Sequence, residues 1–162
     1  MFVFQNKHAN FSEWYRRVLF DADILDQRFP VKGCNVWKAH GTEIMDNIMD
    51  LLEELLEQEG HFKTYFPLLI PEDLFGKENQ HLRGFEDQVF WVDRAGKRRL
   101  SRRLIVRPTS ETAMYHMFSL WVRSHADLPM KVYQIVSVFR YETKSTKPLT
   151  RDREMWPFNE AH

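Results

Sequence analysis

The chain reads as an α+β protein, an antiparallel β-sheet flanked by helices, and three observations predict it. Helical and strand-like segments are mixed without the strand–helix–strand alternation that builds a parallel sheet. Successive strand-like runs are joined by a hairpin or a short helical excursion, connections that suit antiparallel pairing. The third is composition: 43% hydrophobic and 14% aromatic residues within 162 give enough apolar bulk for one core, and the length suits one domain, 1–162.

From the amino end, Phe11, Trp14, Tyr15, Val18, Leu19 and Ala22 recur at three and four, so a helix is expected here, capped by Ser12 or Asn10. Pro30 to His40 reads as loop or short strands. A second helix follows, with Thr42 as its cap, Ile44, Ile48, Leu51, Leu52 and Leu55 as its inward stripe, and Glu53, Glu54 and Glu57 in water. Gly60 stands where a C-terminal cap belongs. Phe62 to Ile70 reads as a strand, and Pro67 inside it, lacking an N–H, assigns it to an edge or an interface. Pro71 ends that strand, a short helix is expected over 72–77, and 78–87 is polar.

Val89–Val92 and Leu100–Val106 form a hairpin around the loop Asp93-Arg94-Ala95-Gly96-Lys97. A helix runs from Ser110 to about His125 with Met114, Met117, Leu120 and Trp121 inward, until Asp127-Leu128-Pro129 breaks it. In the strand Met130–Glu142, period two sets Arg140 and Glu142 side by side. The basic loop Lys144, Lys147, Arg151, Arg153 comes next, and the chain returns through Glu154, Phe158 and Glu160 to His162.

Lys plus Arg and Asp plus Glu are 23 each, so no whole-chain charge draws it to nucleic acid or membrane. One cysteine, Cys34, read as a small buried hydrophobe, allows no internal disulfide. With no signal-like start and no apolar run near the ~20 residues a span requires, a cytoplasmic protein without membrane contact is expected. No two of the six glycines lie close enough for a phosphate-cradling loop, and the seven histidines show no metal-ligand spacing, so no metal site is expected.

Two constellations remain for chemistry. Arg140-x-Glu142 offers a guanidinium to grip phosphate or carboxylate and a carboxylate to accept from an amino group; the same pair would serve as a surface ion pair worth ~0–1 kcal/mol. Thr109-x-Glu111, where a strand meets a helix, would bind an ammonium group or cap the helix, with Thr109 or Ser110 as the cap and Glu111 in its first turn. The basic loop is a solvated loop or a mobile flap over polyphosphate or the end of a nucleic acid.

Taken in order, Tyr65-Phe-Pro-Leu-Leu-Ile-Pro-Glu72, Arg107-Pro-Thr-Ser-Glu111 and Phe139-Arg-Tyr-Glu142 resemble the catalytic core of the class II aminoacyl-tRNA synthetases, and above all the prolyl-tRNA synthetases of archaeal and eukaryotic type. Phe11-Ser-Glu-Trp14, Val31-Lys-Gly33, Gly84-Phe-Glu-Asp87, Trp121-Val-Arg-Ser-His125 and Asp127-Leu-Pro129 extend the resemblance over nearly the whole chain. His61 and Thr64 stand where the class usually has apolar residues.

The resemblance implies activation of L-proline by ATP with Mg²⁺ and transfer to tRNA(Pro), in a homodimer. It implies that Thr109 and Glu111 hold the imino group, replacing the helix-cap reading. Arg140 would lie on the α-phosphate near the proline carboxylate, Glu142 would read the adenine end, and Arg151 or Arg153 would approach the phosphates. Phe158, Glu160 and His162 would line the proline pocket, and the segment with Gly60 and Pro67 would build the dimer interface. The family's third motif and anticodon-binding domain are absent from these residues, which implies the amino-terminal part of a longer catalytic domain, inactive alone. The alternatives are a non-catalytic binding or regulatory module of the same fold, or a seryl or threonyl enzyme.

Overall fold

The protein is described by a computed structural model that covers residues 7–77 and 86–162. Helix α1 (Phe11–Asp21) starts at Asn10, whose side-chain oxygen accepts from the Glu13 N–H at 3.2 Å, so Asn10 and not Ser12 is the cap. Strands β1 (Leu25–Asp26) and β2 (Val36–Trp37) make a short antiparallel ribbon in the segment expected to be loop or short strands.

Helix α2 (Ala39–Gln58) begins four residues earlier than a cap at Thr42 predicts, with Lys38 in the cap position. Its first turn is satisfied by tertiary contact instead of a side-chain cap: the Gly41 N–H donates to the Asp23 carbonyl at 3.1 Å. A Cβ on Gly41 would stand 2.3 Å from the Ile24 carbonyl oxygen, so only glycine allows this approach. Thr42 lies inside the helix and its hydroxyl donates back to the Lys38 carbonyl. At the far end Gly60, with φ +82°, closes the helix as expected.

The orientation of α2 departs from the expected one: Glu54 and Glu57 are exposed as expected, but Glu53 is half-buried and the apolar stripe is bare. Tyr133 donates its hydroxyl to Glu57 at 2.9 Å and Lys63 pairs with Glu53, so these acids lie toward the sheet. The stripe of Ile44, Ile48, Leu51 and Leu55 is exposed, Leu51 to 59%, while Leu52 is half-buried.

The expected strand Phe62–Ile70 is two pieces, β3 (Phe62–Lys63) and β4 (Leu69–Pro71), because the chain between them bonds out of the ladder around Pro67. Helix α3 (Glu72–Lys77) follows, then a 3₁₀ turn at Glu86–Gln88; residues 78–85, with Gly84, lie outside the described residues. Strands β5 (Phe90–Ala95) and β6 (Arg98–Val106) form the hairpin with a shorter turn than expected, just Gly96 and Lys97, with Gly96 at φ +59°.

Helix α4 (Glu111–Trp121) is shorter than expected. It ends before a 3₁₀ turn at His125–Asp127, which Ser124 and Asp127 cap reciprocally. Met114 is fully buried, Met117 is half-buried, and Leu120 and Trp121 are exposed, so only the start of the helix faces the core.

The last two strands are β7 (Val132–Phe139) and β8 (Glu154–Ala161). One sheet has the order β3-β7-β8, parallel for β3 and β7 and antiparallel for β7 and β8; the other, β4-β6-β5, is wholly antiparallel. Arg107 joins them, receiving the Phe139 N–H on its carbonyl at 2.9 Å and donating its own N–H to the Leu68 carbonyl. The α+β architecture stands, with one parallel pairing and two linked sheets in place of one. Among the described residues no helix is long and apolar enough to cross a membrane.

Candidate active site

The register of β7 and β8 sets Gln134 directly opposite Glu160, and residues paired in this way share a face. Glu160 is 6% exposed and is the hub of the site. One of its oxygens accepts from the Thr109 hydroxyl at 2.9 Å and from the Ser110 N–H at 2.7 Å; the other accepts from the Gln134 amide at 2.9 Å. The Gln134 amide oxygen in turn accepts from the Phe66 N–H at 2.9 Å, which fixes the direction of the whole relay. A buried carboxylate is stable only when held by such donors.

Thr109 therefore does not cap α4, and Ser110 makes no side-chain capping bond either. The Ser110 hydroxyl is buried and has no hydrogen-bond partner among the described residues. Arg107 is 3% exposed and stitches the sheets from below, its guanidinium donating to the carbonyls of Ser137 (2.9 Å) and Phe66 (2.8 Å).

Arg140 follows the end of β7. Its Nε donates to the Pro108 carbonyl at 3.0 Å and its guanidinium carbon lies 5.7 Å from the centre of the Phe158 ring. Burial pulls this guanidinium below its ordinary value, and the charges of Glu160 and Glu111 push it back up; it remains a cation beside two carboxylates. Thr109, Arg140, Phe158 and Glu160 thus converge, and Glu111, exposed in the first turn of α4, adds its charge at the edge.

The other expected residues lie further out. His162 follows the end of β8 and meets α4, its ring 5.5 Å from Tyr115 and its Nδ1 3.4 Å from the Tyr115 hydroxyl. Glu142 does not stand beside Arg140 on a strand face, because β7 ends at Phe139 and the Glu142 N–H turns back to the Arg140 carbonyl at 2.7 Å. Its carboxylate accepts from the Lys144 N–H, and Arg153 reaches its carbonyl at 3.4 Å while lying 4.0 Å from the Tyr141 ring centre. Arg151 sits in the hairpin closed by the Lys147–Arg151 bridge and lines a separate cavity with Trp37, Met45 and Trp156.

Gly60 and Pro67 belong to another surface, exposed beside Phe62 and Tyr65, each 74% exposed, and continuous in the chain with the bare stripe of α2. Cys34 is half-buried, not buried; desolvation and the charge of Glu154 push its thiol up. Sequence reasoning missed Gln134, Ser110 and Arg107 as parts of the site. The signal for Gln134 was present: an amide within the apolar run Val132, Val136, Val138 must find partners when buried.

Residues 90–162 match the family described as tRNA synthetase class II core domain (G, H, P, S and T). The chain is 59% identical over 153 residues to the proline–tRNA ligase of Pyrococcus abyssi and 54% over 156 residues to that of Methanothermobacter thermautotrophicus. These alignments cover 94% and 96% of the chain but 32% of each relative, so the chain spans about a third of their length. Among solved structures, the Giardia lamblia prolyl-tRNA synthetase in complex with prolyl-adenylate superposes with a TM-score of 0.89 at 47% identity, over 93% of this chain and 30% of that one. The Cryptosporidium parvum enzyme complexed with halofuginone and AMPPNP gives 0.84 at 32% identity, over 91% and 29%.

Proposed function

We infer, from a chain that has the class II tRNA synthetase core fold and is a relative of the prolyl enzymes, that it serves the ATP-dependent activation of L-proline and its transfer to tRNA(Pro). The observation that carries this reading is the juxtaposition of a buried, fixed carboxylate, Glu160, with the Arg140 cation. Proline bears a secondary ammonium and a carboxylate, and these two protein charges match it end to end.

In this proposal the ammonium rests against Thr109, Glu111 and Glu160, the pyrrolidine ring lies against Phe158, and His162, on Tyr115 of α4, would bound the pocket from further out. The proline carboxylate faces Arg140, and one of its oxygens attacks the α-phosphorus of ATP. The bond to the bridging oxygen breaks and pyrophosphate leaves. Arg140 offsets the negative charge that gathers on the α-phosphate, so positioning and a preorganised cation supply the rate and no protein nucleophile is used. Glu142 would contact the adenine end, and Arg153, beside Glu142, suits the phosphates better than Arg151 does.

Mg²⁺ would arrive on the ATP phosphates, since among the described residues no group of three or more His, Cys, Asp or Glu side chains is placed to hold an ion. The exposed stripe of α2 with Phe62, Tyr65, Gly60 and Pro67 would be the contact between two copies, and residues 1–162 one part of a longer catalytic domain acting in the cytoplasm.

The test is ATP–pyrophosphate exchange by the natural protein with proline, serine and threonine compared. Exchange dependent on proline alone supports the proposal. Equal or greater exchange with either rival amino acid overturns the substrate, and none with any of the three indicates a binding module.

A further inference from the structure

Six of the chain's 23 Lys and Arg residues fall between Phe90 and Arg103, where the only acid is Asp93, in a protein whose charges balance only over the whole chain. All six side chains are exposed on the β5–β6 hairpin. Arg103 pairs with Glu72 and lies over the Trp91 ring, and Arg102 pairs with Asp73. Arg94, Lys97, Arg98 and Arg99 pair with no acid among the described residues. Arg94 and Arg99 are moreover directly opposite each other across the hairpin, an arrangement that destabilises it. Fixed like charges facing each other on a rigid ribbon are relieved by an anion that spans them.

We propose that this hairpin docks the sugar-phosphate backbone of RNA, namely the body of the tRNA whose 3′ end is charged; the choice of RNA rests on the function proposed above. Five of the six cations are arginines, which grip phosphate oxygens in a fork. The turn carries no large apolar side chain to enter a lipid surface, which disfavours a membrane as the partner. β6 runs from the turn to the Arg107–Thr109 segment of the site, about 26 Å for its eight steps of ~3.3 Å, so one extended RNA can reach both.

The experiment is filter binding of a tRNA(Pro) transcript to the natural protein across a salt series, with the variants R94A/K97A/R98A/R99A and R94K/R98K/R99K. The alanine variant should bind at least about tenfold more weakly at low salt. Its plot of log affinity against log salt should be shallower by about 3, the loss of four phosphate contacts at ~0.7–0.9 each. Proline-dependent ATP–pyrophosphate exchange, which needs no RNA, should be unchanged, and the lysine variant should keep the natural salt slope. Unaltered tRNA affinity and slope in the alanine variant would overturn the proposal, as would a lysine variant as weak as the alanine one. So would phosphatidylserine vesicles that bind the natural protein through these side chains while tRNA binding survives their loss. If alanine substitution also abolishes exchange, the lysine variant decides alone. Absence of proline-dependent exchange in the natural protein, with charge-dependent RNA binding by the hairpin intact, would sink the proline reading and leave the docking surface.

Discussion

Replacing Glu160 by glutamine keeps its shape and removes its charge, and the relay around it makes the consequence calculable. The Thr109 hydroxyl and the Ser110 N–H require an acceptor at one position of the side chain, so the new amide nitrogen must face Gln134. Gln134 cannot turn its oxygen toward it, because that oxygen is held by the Phe66 N–H. Two N–H groups then confront each other in a site where Glu160 is 6% exposed. One charge-assisted hydrogen bond is lost and a buried donor is stranded, together about 2–3 kcal/mol. At ~2–4 °C per kcal/mol this lowers Tm by about 4–12 °C. Scanning calorimetry of the natural protein measures it, and the KM for proline in ATP–pyrophosphate exchange should rise in parallel. The double variant Gln134→Glu/Glu160→Gln restores an acceptor to every donor. It should recover most of the Tm while the proline KM stays high, since the charge has moved. A Glu160→Gln Tm loss equivalent to less than about 0.5 kcal/mol, the range of surface substitutions, would refute the relay as drawn.

Arg140→Ala should lower proline-dependent exchange by at least about 10²-fold, the scale for one preorganised charge-stabilising donor, and a loss under threefold would remove it from the reaction. Glu111→Ala should chiefly raise the proline KM in the same assay, and an unchanged KM would contradict its place at the imino end. Leu55→Asp, on the bare face of α2, should shift sedimentation toward the smaller species without unfolding the chain, because that side chain is 51% exposed in a single copy. Arg28 holds the Asp26 carboxyl at about 2, through its side chain first and its N–H second, against an ordinary 3.8. A depressed carboxyl adds stability above pH 3.8 that is lost as pH falls toward 2. NMR titration of Arg28→Ala should find the Asp26 midpoint raised but still below 3.8, since the N–H at position 28 remains.

Local rules served well where local physics decides. The Gly60 terminus and the existence of the β5–β6 hairpin follow from one or two side chains and their neighbours, while the cap of α1 was narrowed by sequence to Ser12 or Asn10 and the hairpin's two-residue turn was shorter than the expected loop. Thr42 misled because the start of α2 is set by the backbone of Asp23 and Ile24, some eighteen residues upstream, which no capping pattern registers. The apolar stripe of α2 was visible, yet periodicity states only that a face is apolar; it does not say whether that face meets the chain's own sheet or another molecule. Gln134 stayed hidden for a related reason, since its importance depends on Glu160 being its ladder partner.

The pairing of Arg140 shows how one extra residue alters the chemistry of the site. Along most of β7 and β8 the register continues from Gln134 with Glu160 to Val136 with Phe158, and carried forward unchanged it would set Glu154 opposite Arg140. An acid there would pair with the guanidinium and weaken its hold on an anion. The ladder shifts by one at Trp156-Pro157, where the proline has no N–H to offer, and from Val138 with Met155 onward the partners differ. Glu154 moves opposite Phe139, and the Arg140 N–H donates to the Arg153 carbonyl at 2.9 Å. The residue facing Arg140 across the ladder is therefore a second cation, and period-two reasoning over a regular strand could not place it. Two arginines paired through their backbones at the end of the sheet would suit the several negative charges of the ATP proposed above.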